Sequence, residues 1–407
     1  MQFIRLTLLI LLLGVTTQSH AKTPPQSLGI NLLPAASGGS GPPIMINGFA
    51  LSPSLGLRTR YVSNIFASEA GEEGDFIASI EPAVTVQKQV RDHQFNLSAY
   101  SNIERYKNNK SENIENYGAS FYGILTGAAH LQLPFSFAYK TDHQQRNRER
   151  TGRVSKSPIQ FASYKAELGG YYNPNRLHLH NRVFYEGRRY DNGQTVDGAA
   201  LLREDSDTDS YGATITAAYE TRRPLMPLLR LSYKRNEYIR SDRDNAEFSG
   251  LLGVRYEVSK LLGTRLAIGR QHINYDSASI DDITNSAISG NITWSPKERT
   301  AIDLSVERAS EEDNIINQGV VNSVISLNID HELKQDLFLN IGLGGEEDDF
   351  QNSSRKDRYY DTSIGLKYLI SPRFELEGEY QYRTRDSNAQ GLDYDQNIFM
   401  LYLKSNL

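Results

Sequence analysis

The stretch from Arg373 to Arg383, RFELEGEYQYR, alternates two chemistries. Glu375, Glu377 and Glu379 take every second position, and Phe374, Leu376, Tyr380 and Tyr382, with Gly378, fill the places between. A helix would spread both sets around its circumference. A strand points successive side chains to opposite faces, so it separates them into one apolar and one acidic face. This period of two recurs from about Ala50 to the last residue. SLGLRTRY sets Leu55, Leu57 and Tyr61 against Arg58 and Arg60, and FIASIEPAVTV sets Phe76, Ile80, Val84 and Val86 against Ser79, Glu81 and Thr85. Further apolar ladders run through Leu131, Leu133, Phe135, Phe137 and Tyr139, and through Phe248, Leu252, Val254 and Tyr256. Others run through Ile364, Leu366, Tyr368 and Ile370, and through Phe399, Leu401, Leu403 and Leu407.

The connections alternate as well. Short ones such as RDHQ, NPNR, SPKE, LKQD and SPR are interleaved with long ones such as SNIFASEAGEEGD, KTDHQQRNRERTGRVSKSP, YDNGQTVDGAALLREDSDTD and TRDSNAQGLDYDQN. That alternation defines two unlike ends. The pattern predicts about 18 strands (16–18), an even number that lets both termini leave from one end. The expected fold is all-β: a transmembrane antiparallel β-barrel whose apolar band faces lipid, whose polar face lines the interior, and whose closure removes the strand edges that lipid cannot satisfy. A soluble propeller has short strands and would not carry an apolar face along every long one. Tyr61, Tyr139, Tyr172, Tyr219 and Tyr233, near strand ends, suit interfacial girdles. The final strand is less regular, since Ile398, Met400 and Tyr402 would face the lumen. The loops at 142–157 and 190–208 are long enough to fold inward.

The first 21 residues read as a signal peptide. Arg5 is followed by the apolar run Leu6 to Val15, and Ser19 and Ala21 place small residues before a cleavage site. Residues 22–48, rich in Pro, Gly and Ser, read as a flexible periplasmic segment in which IMI and NLLP are the stretches able to dock. The barrel is expected over 49–407. No later stretch approaches the length of a spanning helix. The 407 residues include no cysteine, so no disulfide supports the exported chain. A net charge of −5 points away from nucleic acid. The expected location is the outer membrane of a Gram-negative bacterium, with lipid, lipopolysaccharide and the barrel assembly machinery as partners.

No motif carries catalysis, and no cofactor or metal site is expected. P-loop, nucleophile elbow and HExxH are all missing from the sequence. His178 and His180 alternate in LHLHNR and read as lumen lining, because two histidines without nearby carboxylates make a weak metal site. DSDTD, Asp205 to Asp209, opens like a calcium loop, but Ser210 stands where the turn glycine belongs and Thr216 where the bidentate acid belongs. EAGEEGD and GEEDD read as solvated acidic loops. His272 in RQHINYD is the histidine that invites a hydrolase at the outer rim; it would need Asp276 or Asp281 as a partner, and a nucleophile.

Charged residues on the non-apolar faces are the candidate site. The basic set is His178, His180, Arg182, Arg188, Arg230, Lys234, Arg255 and Arg265. The acidic set is Glu81, Asp361, Glu375, Glu377 and Glu379, diluted by Arg58 and Arg60 and with Lys367 nearby. On an 18-strand barrel the two sets fall on opposite walls and would set up a transverse field focused by the low-dielectric wall. The competing expectation is that each charge pairs with a neighbouring strand, as Glu186 and Glu257 would allow.

The span from Leu51 to Tyr100 resembles a family of outer-membrane β-barrel porins often encoded beside exopolysaccharide biosynthesis genes. The likeness lies in a Pro-Ser-Leu first strand, a Tyr-x-x-Asn-Ile-Phe strand end, an Asp opening the next strand, an Ile-x-Pro and a tight turn before the third strand. The chain departs from common barrels in ending on Leu407 rather than an aromatic residue. The resemblance implies a channel in the export or surface assembly of exopolysaccharide, with a polysaccharide and its export proteins as partners. Inward tyrosines such as Tyr100 would contact sugar rings. The other readings are a general diffusion porin, a rim hydrolase and a closed structural barrel.

The turn lengths predict that both termini and the short turns face the periplasm. Protease added to intact cells should cut only within long loops such as 142–157. Cleavage at NPNR in intact cells would reverse the orientation.

Overall fold

The structure is a computed structural model that describes residues 42–407 except 128–129, 147–154, 222–223, 240, 260 and 314–317. The signal peptide and most of the Pro/Gly/Ser-rich segment therefore lie outside the described residues. Eighteen long strands build one antiparallel sheet closed on itself. They are β1 (Phe49–Val62), β2 (Asp75–Val90), β3 (His93–Tyr106), β4 (Ile114–Thr126), β5 (Leu131–His143) and β6 (Gln160–Tyr172). Next come β7 (Leu177–Tyr190), β8 (Thr208–Tyr219), β9 (Leu225–Tyr238), β10 (Asn245–Ser259), β11 (Leu262–Tyr275) and β12 (Ile283–Lys297). The last six are β13 (Thr300–Asp313), β14 (Gln318–Lys334), β15 (Leu337–Phe350), β16 (Lys356–Ser371), β17 (Phe374–Ser387) and β18 (Tyr394–Asn406).

Each strand pairs with its neighbours in the chain, and β1 also pairs with β18, in register from Ser54 opposite Asn406 to Val62 opposite Ile398. Bonds at the two ends tie this seam: the Leu407 N–H donates to the Pro53 carbonyl at 3.0 Å and the Ser63 N–H to the Asn397 carbonyl at 3.0 Å. The ladders that alternation predicted as lipid-facing are exposed on the outside, among them Leu57, Phe76, Ile80, Phe137, Ile215, Leu252, Ile364 and Leu401. Their neighbours in sequence face inward, so the molecule is apolar outside and polar within.

At the short-turn end, β10, β12, β14 and β16 each carry one extra residue just before their hairpin, at Glu257/Ser259, Trp294/Lys297, Glu332/Lys334 and Leu369/Ser371. Such bulges raise the local twist and help a sheet turn around a barrel rim. Pro82 and Pro134 sit inside strands. Pairing lapses beside each and resumes in unchanged register, from Ile80 opposite Ile103 to Ala83 opposite Tyr100 and from Gln132 opposite Tyr171 to Phe135 opposite Leu168. A proline removes one donor from the ladder without shifting the strand. Where β10 meets β11 the backbones approach too closely for side chains. A Cβ on Gly269 would lie 1.8 Å from the Gly250 carbonyl oxygen, and one on Gly253 would lie 2.4 Å from that of Leu266.

Several expectations need correction. IMI does not belong to an unstructured segment. Ile44–Ile46 turns back through Asn47 and Gly48, both at positive φ, and pairs with Phe49 to Leu51. Asn-Gly in a two-residue turn is the residue pair that tolerates this conformation best. GEEDD is not a loop. It lies within β15, where Glu346 and Asp348 accept hydrogen bonds from the Asn322 amide while Glu347 and Asp349 pair with Arg358 and Lys356. β17 and β18 likewise absorb most of TRDSNAQGLDYDQN, which leaves only 388–393 as a connection.

Leu201 of the 190–208 loop packs against Phe161 and Tyr190, Ile280 packs against Ile273 and Ile283, and the loop 63–74 likewise packs on inward-facing residues. Its Ile65 and Phe66 bury against Val62 and Ile77, with Tyr106 and Ile398 around them. That contact accounts for an apolar Ile398 on the inner face. Asn64, fully buried, fixes the loop by donating to the Ser68 and Asp395 carbonyls. The other two long loops are joined to each other. Ser155 bridges to Thr195, and the Lys156 N–H donates to the Gln194 carbonyl at 2.8 Å. Buried Arg146 then anchors the first of them with a two-pronged pair to Glu112, both bonds 2.9 Å.

Candidate functional site

Among the described residues, the charged residues predicted from the sequence converge on the inner wall, so it is the candidate site. On β17, Glu375 stands opposite Lys404 of β18, Glu377 opposite Lys367 of β16 and Tyr402 of β18, and Glu379 opposite Gly365 and Met400. Lys404 was missed in the sequence, although it shares the parity of Ile398, Met400 and Tyr402 in the last strand. Asp361 is bound by the Arg383 guanidinium, and Glu81 by Arg58 at 3.1 Å. Arg60 reaches past β2 to Glu104 of β3 at 2.5 Å. Glu377 and Glu379 make no ion pair among the described residues.

The basic arc carries acids of its own. Arg182 meets Glu167 at 3.3 Å, Lys234 meets Glu247 at 3.0 Å, and buried Arg188 meets Glu186 of its own strand at 2.8 Å. Arg230 lies within electrostatic reach of Glu307 on β13. Arg255 and Arg265 approach His180, whose ring meets the edge of Tyr171 with centroids 4.7 Å apart. His178 lies 3.8 Å from Glu220 at the short-turn end. Cross-strand ion pairs contribute about 0.2–1 kcal/mol each. Their larger effect here is to offset the charge of the basic wall, whereas Glu377 and Glu379 stand without an ion pair among the described residues. The acids that pair with the arc were visible in sequence, but their partners follow from register, which sequence does not supply.

Two aromatic rings lie flat along the inner wall over glycines. Tyr100 covers Gly118, and Tyr402 covers Gly56 with the Arg58 guanidinium 4.8 Å from its centroid. A ring held flat narrows the lumen little and keeps a face available for contact.

The other sequence candidates are engaged elsewhere. Asp207 accepts the Tyr190 N–H, and Asp209 pairs with Arg189 and accepts from Tyr185, so DSDTD closes the outer ends of β7 and β8 instead of forming a cation loop. Among the described residues no group of three or more His, Asp or Glu is placed to hold a metal ion. His272 faces outward and bonds to the Thr284 hydroxyl at 2.7 Å. Asp276 is taken by Arg235. The nearest carboxylate, Asp282, is 4.0 Å from the ring and is held below the usual carboxylate range by hydrogen bonds from the Tyr275 N–H and the Asn274 amide.

Comparison with known proteins fits this architecture. The sequence profile of the family described as "Putative beta-barrel porin 2" matches residues 44–407, so the chain belongs to that family. No curated protein matches the chain. Among solved structures, OccK2 (OpdF) of Pseudomonas aeruginosa is similar at 11% identity with a TM-score of 0.50, over 88% of this chain and 98% of that one. The outer membrane protein opdK of Pseudomonas aeruginosa aligns at 12% identity and a TM-score of 0.48, over 88% and 99%. A BenF-like porin from Pseudomonas fluorescens Pf-5 aligns at 9% identity and 0.48, over 88% and 99%. The likeness to OccK2 (OpdF), at 11% identity, is one of fold alone, a closed barrel.

Changing Glu375, Glu377 and Glu379 together to glutamine should move single-channel ion selectivity towards anions by about twofold at low salt, and the shift should fade near 1 M, where charges are screened within about 3 Å. Bilayer reversal potentials measure this. Unchanged selectivity in a conducting variant would place the ladder away from the ion path.

Proposed function

We propose that this outer-membrane porin is a non-enzymatic channel for a polysaccharide on its way to the cell surface. The observation that supports it most is the chemistry of the inner wall. Many of its charges are paired in place, and among them lie hydroxyls, amides and two flattened tyrosines. A wall of this kind offers a sugar chain many weak contacts and no single strong one. Conduction needs that balance, since a substrate must enter readily and also leave. Tyr100 and Tyr402 supply faces for the apolar side of a pyranose, and the amides and carboxylates supply partners for its hydroxyls. The resemblance of Leu51 to Tyr100 to porins encoded beside exopolysaccharide genes points to the same substrate class.

The geometry around His272 favours a channel over a rim hydrolase. Its hydroxyl neighbour and its carboxylate neighbour do not form a relay, because Asp282 is spent on Tyr275 and Asn274. A general diffusion porin is the second reading, supported by the neutralised basic arc, which selects weakly among small ions.

A deletion strain separates the two. Surface polysaccharide should fall severalfold while intracellular polymer synthesis continues. Normal surface polymer together with slower uptake of small solutes would make the protein a general porin.

A further inference from the structure

We propose that the wall formed by β14 to β17 holds a binding subsite for an uncharged pyranose unit, just beyond the glutamate ladder towards the long-loop end. The sugar class rests on the polysaccharide reading above; the recess itself does not.

Gly342 and Gly344 lie at the floor of the recess, which opens to the lumen. Register explains its shape. One row across the wall runs Asn328, Gly342, Ser363, Gln381, and the next runs Ser326, Gly344, Asp361, Arg383. These positions alternate with Ile325, Leu343 and Ile364, which are exposed on the lipid side, so both rows face the lumen. Two glycines on adjacent rows of β15 leave a dent between the side chains of β14 and β16. Strands lie about 4.8 Å apart, so the rows span about 14 Å from β14 to β17, enough for one or two sugar rings.

Two side chains in the lining point to a ligand. Gln381 is 8% exposed and Ser363 is 9% exposed. They face each other across the β16–β17 ladder, line the recess, and have no hydrogen-bond partner among the described residues. Buried amides and hydroxyls nearly always find partners. Here both open onto the recess, so their bonding capacity is directed at its occupant. An amide and a hydroxyl each donate and accept. A sugar hydroxyl does both in return, whereas a carboxylate only accepts.

Charge narrows the class further. Glu346 and Asp361 are on the rim, and Glu379 lies one row further towards the short turns. Asp361 is neutralised by Arg383, and Glu346 accepts from the Asn322 amide. Glu379 makes no ion pair among the described residues. The local field is therefore negative and disfavours uronic acids, while neutral hexoses keep their full hydrogen bonding.

The test uses the full-length barrel in detergent. Cellohexaose and a galacturonate hexamer are titrated by calorimetry, and the same protein is placed in planar bilayers to record current with and without each sugar. The wild-type protein should bind the neutral hexamer at least tenfold more tightly than the uronate, as a weak site. Gly344→Leu fills the floor, and its Cβ would lie 3.5 Å from that of Asp361, an ordinary contact, so the barrel should still assemble. This variant should bind cellohexaose at least tenfold more weakly and conduct with fewer sugar-induced blockades. Gln381→Leu keeps the volume and removes the amide, and it should weaken binding similarly even where Gly344→Leu fails to assemble. No binding of the neutral hexamer, equal binding by wild type and Gln381→Leu, or tighter binding of the uronate would each overturn the subsite. Binding that behaves as expected in a barrel that passes no current would keep the subsite and reject the channel.

Discussion

Everything in this structure depends on one constraint: a backbone surrounded by lipid must satisfy its own hydrogen bonds. An unpaired N–H or C=O in hydrocarbon costs several kcal/mol, so a sheet that crosses the membrane cannot end in an edge. The β1–β18 seam meets that requirement, and the bonds from Leu407 to Pro53 and from Ser63 to Asn397 extend it past both ends of the ladder. Once the sheet is closed, strand pleating sorts every side chain to lipid or lumen. The apolar ladder that includes Phe374 and Tyr380 then has to face outward, and Glu375, Glu377 and Glu379 have to face in. Bulges near the short turns and glycines at the β10–β11 contact are the local adjustments that let the sheet close.

The lumen follows a second rule. Many of the charges that the fold forces inward are paired locally, strand to neighbouring strand. Arg58 with Glu81, Arg182 with Glu167 and Lys234 with Glu247 follow this rule. The consequence is a wall that is polar without being strongly charged. The informative places are Glu377 and Glu379 of β17, which make no ion pair among the described residues, and, among uncharged groups, the Gln381–Ser363 pair beside the glycine floor. Both lie on the β14–β17 side, which gives that side of the channel its chemical character.

Strand number and facing were legible in the sequence because lipid imposes one apolar residue in two along every spanning segment. Legibility failed where lipid stops acting. At the outer ends of β15, β17 and β18 the ladder gives way to polar pairs such as Lys356 with Asp349 and Tyr382 with Asp395, so those strand ends read as loops. The docking of Ile65 and Phe66 against Ile77 was hidden for another reason, since it joins a loop to residues on four strands. The site was legible only in part. Parity gave the inward set, including the glutamate ladder, but the ion partners, the role of Lys404 and the recess over Gly342 and Gly344 depend on how strands are staggered, and stagger leaves no periodic trace in one chain.

Closure between β1 and β18 is the claim on which the others stand, and a chain with no cysteine makes it directly measurable. Leu55 and Ser405 are register partners across the seam near the short-turn end. Opposed residues in a ladder have Cβ atoms about 4.5–5.5 Å apart, within reach of a short bismaleimide. In the membrane-inserted Leu55→Cys/Ser405→Cys variant, that reagent should cross-link the two cysteines within one chain and shift its mobility on a denaturing gel. A Leu55→Cys/Ile370→Cys control, three strands apart, should not react. Failure of the first pair to cross-link in folded protein, or equal cross-linking of the control, would contradict the closed barrel.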